Sequence, residues 1–201
     1  SGLQVDPKAV KFWEVFGSFW WAVGCLGMAE HYRNGPDKTV ERPAIGRRSS
    51  ECQIDCVNLL IPGAVELIAS EPEANDLDMP RVDELLTSVR DFLRADVMQE
   101  TTGRVNFLAR VSSNSLDIAL REWDLGAKAK QAELARLQAF LGEQADLGSL
   151  RWKLVHALRD GSQSLHDEQL QHHLRQTVVN QIAIDQPKYS GFLNAVNQPS
   201  S

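Results

Sequence analysis

The chain of 201 residues is 43% apolar and 24% charged, a globular balance with room for one large domain or two small ones. Its net charge of −6, without a basic block or an aromatic-interleaved basic stripe, argues against a nucleic-acid binder. Three cysteines cannot all pair, which suits a reducing, cytoplasmic compartment, and Ser1-Gly2 without a methionine reads as a tag remnant on a piece of a longer protein.

Beta-branched residues are sparse and strong helix formers plentiful, so the predicted fold class is all-α. The first element, KFWEVFGSFWWAVGCLGMAEH at residues 11–31, has the look of a membrane span. Its uninterrupted apolar run, Val15 to Ala29, is too short to cross a bilayer, and Lys11, Glu14, Glu30 and His31 flank it. Phe12, Val15, Phe16, Phe19, Val23 and Leu26 recur at spacings of three and four, while Gly17, Gly24 and Gly27 leave shallow surfaces for another backbone. The pattern predicts an interior helix covered on most sides by protein. In a second reading its polar exceptions, Glu14 and His31, look into a ligand pocket.

A second helix is predicted from a Thr39 cap to about Ile61, with Pro43 tolerated in its first turns. Along it Arg48, Glu51 and Asp55 form one charged row, read as a solvated salt-bridge ladder or as the lining of a polar pocket. Cys52 and Cys56 fall on one face without a nearby ligand set, so they read as buried small hydrophobes and no metal is expected. Two helices bury too little surface to stand alone, so the rest of the chain, a missing domain, a protein partner or a second copy must cover the Trp/Gly-rich helix.

Residues 63–80 hold five acids and no base, with Pro72, Asn75 and Pro80 among them. This is linker chemistry. The expected organisation is therefore a two-helix segment at 1–62, an acidic linker at 63–79 and a helical bundle at 80–201. Val65, Leu67 and Ile68 are expected to extend the preceding helix or dock onto it.

The bundle is predicted to hold about five antiparallel helices. The first is capped by Asp78, carries Pro80 near its start and bears Val82, Leu85, Leu86, Val89, Phe92, Leu93 and Val97 at helical spacing. The next two span 104–123 and 127–141, divided at Gly126, and a fourth spans 149–159 and stops at Gly161. The fifth starts after a Ser164 cap and ends at Asp185, before Pro187, with Tyr189 and Phe192 folding the tail back. Asn106, Arg110, Asn114 and Asp117 make a polar row, read as a buried network between helices or as a holder for a small anion. His156, His172 and His173 read as surface or packing residues.

Residues 6–60 resemble the C-terminal end of aminoglycoside phosphotransferase-like kinases related to the kinase-like part of fused acyl-CoA dehydrogenases. The likeness rests on Asp6-Pro7, FWEV at 12–15, Trp21-Ala22, His31, Glu41, GRR at 46–48, Glu51 and Asp55. It implies a helical part of the C-lobe, with Trp13, Glu14, Arg48, Glu51 and Asp55 on the side of the substrate cleft. The family's His-x-Asp catalytic loop, nucleotide loop and strand-borne Lys have no counterpart here, so no catalytic residue is expected. ATP and Mg would enter only with an upstream kinase-like domain. VDELLTSVRDFL, RVNFLARVSSNSLDIALRE and HLRQTVVNQIAIDQPKYSGF, within residues 80–194, resemble a bacterial helical domain of unknown function found with such proteins. Two functions are expected on these grounds. One is a non-catalytic accessory portion of a phosphotransferase-like protein; the other is a free-standing interaction module for an acyl-CoA dehydrogenase or kinase-like subunit.

Overall fold

The computed structural model describes residues 5–70 and 80–197, and its regular structure among them is entirely helical. Helix α1 (Pro7–Asn34) starts where the sequence supplies both signals: Asp6 accepts the Lys8 N–H at 3.0 Å, and Pro7 sits in the first turn. Two helices follow in place of the single one expected at 39–61. They are α2 (Glu41–Arg47) and α3 (Ser49–Leu60), broken at Arg48. Thr39 does not cap α2; its N–H is taken by the Asp37 carboxylate at 3.0 Å, which also accepts from Arg42 at 2.7 Å. Both α2 and α3 pack on α1.

Helix α4 (Val82–Phe92) is entered through Arg81, whose N–H is accepted by the Glu84 carboxylate at 2.8 Å. The expected Asp78 cap lies outside the described residues. A π-turn (Leu93–Val97) and a last turn, α5 (Met98–Glu100), lead into α6 (Gly103–Leu141). At 39 residues, or about 58 Å, α6 replaces the two helices expected on either side of Gly126. Gly126 is buried in helical conformation, whereas Gly142 and Gly161, at φ 65° and 78°, do end helices. The remaining elements are α7 (Leu147–Asp160), α8 (Glu168–Asp185) and α9 (Ser190–Val196). Asp146 and Asp167 cap α7 and α8 by accepting the N–H of Ser149 and Leu170, so Asp167 takes the place expected for Ser164.

Two cores share α8. Leu137 of α6, Leu150 and Leu154 of α7 and Leu170 of α8 form one. Ile54 of α3, Val179 and Ile182 of α8 and Phe192 and Ala195 of α9 form the other, with Val65 and Tyr189 packed against it. The N-terminal helices and the bundle thus meet in a common interior, and the tail folds back as the sequence predicts. Residues 63–66 run along α8: Arg175 donates to Gly63 O at 2.7 Å, and the Gln176 amide takes the Glu66 N–H at 3.0 Å and returns a donor to its carbonyl.

The rest of the chain does not cover α1 on most sides. Only Ala22 and Cys25 are buried on it, because α2 and α3 cover one side alone. Phe12, Trp13, Phe16, Phe19, Trp20 and Leu26 are exposed. No helix among the described residues is long and apolar enough to cross a membrane.

The glycines of this region behave in opposite ways. Gly46 is buried, and a Cβ there would come within 2.8 Å of the Ala29 Cβ on α1, so this glycine sets the approach of α2 to α1. Gly17 has open space around it. Gly46→Ala should destabilise the chain by about 1–3 kcal/mol through overpacking. Gly17→Ala should stabilise it by up to about 1 kcal/mol through helix propensity. Urea denaturation of both variants, with a loss at Gly17 or no loss at Gly46, would contradict this packing.

Candidate functional site

Where α2 turns into α3, a cleft of about 340 Å³ opens against α6 and the end of α8. Ala44, Ile45, Phe107, Val111 and Ile118 make its apolar wall. Phe107, Val111 and Ile118 fall on one face of α6 by their spacing of four and seven. Its polar margin is formed by Glu41, Arg48, Glu51, Asn114, Ser115 and Gln186, and Arg47 and Asp185 close one side.

The charges around the cleft neutralise one another. Arg48 donates from Nε and Nη2 to Glu51 at about 3.2 Å. Arg104 reaches Glu41 from α6. Arg47 bridges Asp185 at 2.9 Å and Glu122 at 3.1 Å. The Asp185 side chain is only 4% exposed and stands at the C-terminal end of α8, where a negative charge is unfavourable. Burial pushes its carboxyl above the usual range, and Gln181 and Arg47 oppose that shift. Arg121 of α6 donates to the carbonyls of Ile184 and Asp185, satisfying the helix end.

The residues singled out in the sequence are divided among several places. Arg48 and Glu51 line the cleft. Asp55 turns to α9, accepting the Tyr189 hydroxyl at 2.7 Å. Trp13 and Glu14 lie exposed on α1, Trp13 set edge-on against Phe12 and Phe16 with ring centroids 5.3 and 5.8 Å apart. The row on α6 also separates: Asn106 donates to the carbonyls of Met98 and Thr101, Asp117 accepts from Arg90 and Arg94, and Arg110 is exposed. Asn114 alone of that row reaches the cleft.

Arg47, Glu122 and Asp185 are not among the site residues expected from the sequence. The available signal was an acid at the last position of a predicted helix, which calls for a nearby cation. The three thiols are free, and burial raises the pKa of each, Cys52 to about 11. No group of three or more His, Cys, Asp or Glu able to hold a metal occurs among the described residues.

His173 is buried where α8 faces α6, and its Nδ1 and the neighbouring Arg136 Nε have no hydrogen-bond partner. Burial, reinforced by the Arg136 cation, lowers its pKa to about 4; His172 and Arg151 push the same way, and Glu133 opposes them.

Residues 99–189 match the family model of a domain of unknown function (DUF6285). The match takes in α6, α7 and α8, and its description assigns no activity. No curated protein and no solved structure matches the chain.

Arg47→Ala removes the guanidinium that bridges the buried Asp185 and Glu122, and should cost about 3 kcal/mol in denaturant unfolding. Asp185→Asn, which keeps hydrogen-bonding groups, should cost clearly less. His173 is neutral when folded down to about pH 4, while the unfolded chain takes up its proton near pH 6.5. The unfolded state then holds the extra proton, so stability falls as pH drops through that window, by up to about 3 kcal/mol. His173→Phe should flatten the slope in urea titrations across it; an unchanged slope would refute the assignment.

Proposed function

We propose that this chain is a non-catalytic accessory portion of an aminoglycoside phosphotransferase-like protein, in which α1 to α3 complete the C-lobe and α4 to α9 form an appended helical module. The observation that carries the reading is the uncovered aromatic surface of α1, where Trp13, Phe19 and Trp20 are each more than 60% exposed. Single exposed apolar residues are ordinary, but a helix that presents rings along its length marks a contact surface. Burying a large apolar side chain is worth about 1.5–3 kcal/mol, so docking several of these rings would hold the segment firmly in a larger fold. The resemblance of residues 6–60 supports naming that fold as the preceding lobe of the same polypeptide. ATP, Mg and catalysis belong to the upstream part in this reading. The three free thiols suit a cytoplasmic setting.

A second reading is supported by α4. Val82, Leu85, Val89 and Phe92 form a stripe at spacings of three and four, all exposed, on a helix with no buried residue. Such a stripe fits a free-standing module that binds an acyl-CoA dehydrogenase or a kinase-like subunit.

The size of the native polypeptide separates the two. A denaturing-gel immunoblot of the source cell, with antibody raised against the α6–α8 region, should show a band well above 22.4 kDa if α1 completes an upstream lobe. A band at that mass would rule out the accessory reading and leave the module.

A further inference from the structure

We infer that the cleft between α2, α3 and α6 is a binding site for a small carboxylate with an apolar body. Its volume of about 340 Å³ falls in the range of small-molecule sites, which pair an apolar lining with a few convergent polar groups. The site is built across two parts of the sequence, so its shape depends on how α2 packs against α6.

The chemistry of the occupant follows from which groups remain uncommitted. The acids at the cleft, Glu41, Glu51 and Asp185, each already accept from an arginine. A cationic ligand would therefore meet a guanidinium already seated on each acid. Arg48, in contrast, keeps free donor hydrogens. Arg48 uses Nε and Nη2 on Glu51, which leaves both hydrogens of Nη1 and one of Nη2. The remaining Nη2 hydrogen and one of Nη1 form the end-on fork of the planar guanidinium, the arrangement that takes a carboxylate in bidentate fashion. The Arg48 side chain is 55% exposed, so a ligand can reach it. The side-chain amide of Asn114 has no partner among the described residues and supplies a further donor on the opposite wall. Phe107, Val111 and Ile118 then offer the apolar body a continuous surface.

The resemblance implies Arg48 and Glu51 for the side of a substrate cleft, but the immunoblot reads polypeptide size and the titration below reads the cleft itself, so the two readings can fail separately. The test is an amide-resolved NMR titration of the full chain with 3-phenylpropionate, alongside 3-phenylpropionamide and 3-phenylpropylamine. The carboxylate should give saturable shifts at the Asn114 side chain and the Ser115 and Ile118 amides at concentrations below about 10 mM. The amide and the amine should bind at least about tenfold more weakly, as should the carboxylate to Arg48→Gln. Val111→Phe, checked for helicity by circular dichroism, should fill the cleft and abolish the shifts. Absence of saturable shifts would overturn the proposal, as would equal binding of the amine or amide, or binding that survives both substitutions.

Discussion

The structure depends on satisfying the polar groups buried along α8. Arg175, Gln176, Asn180 and Asp185 are all buried on this one helix, an expensive arrangement unless partners are supplied. Those partners come largely from the N-terminal part of the chain. Arg175 is met by Gly63 O and the Asn58 side chain, Gln176 by both backbone groups of Glu66, and Asp185 by Arg47. Removing that part would leave a helix with orphaned donors and one buried carboxylate. The two apolar cores lie on either end of the same helix, so the polar contacts also fix how α3 and α9 are set against α6 and α7.

The sequence made the helices legible and left several of their ends obscure, for identifiable reasons. Asp6 with Pro7 is a local start signal that lies ahead of the stretch read as the first helix, and Asp167, which caps the Leu170 N–H, lies three residues past the expected Ser164. Gly126 misled because glycine costs a helix only about 1 kcal/mol, a penalty that tertiary contacts readily outweigh. There a Cβ would meet the Glu122 carboxylate at 2.9 Å, and that carboxylate is held by Arg47 and Lys130. The missing side chain makes room for an ion pair between distant segments. Gly142 and Gly161 end helices where the sequence predicts, because their backbones adopt the positive φ that glycine takes readily.

The candidate site was legible only in part. Arg48 and Glu51 stand together because a spacing of three on a helix brings them together. Asp55 belongs to the same row by spacing but not by partner: Tyr189, 134 residues away, takes it. Arg110 and Asn114 diverge for a related reason. The face that meets α2 is that of Phe107, Val111 and Ile118, and Asn114 sits at its edge while Arg110 lies further round the helix. Helical periodicity places residues on faces, whereas the choice of which face meets which neighbour is made by the whole fold.

Burial is distributed unevenly, and the unevenness separates scaffold from surface. Nine residues of α8 are buried, two of the 28 in α1 and none in α4. The elements with least burial also carry the longest exposed apolar stripes. Elements with few buried contacts are those that open or rearrange most easily, so α1 and α4 are the parts whose order is most readily changed by a partner. The cleft lies on the other side of this division. Its walls are set by α2, α3 and α6, anchored through Arg47 to the end of α8. A ligand there would meet groups already held in place, so little of its binding energy would be spent on ordering the protein.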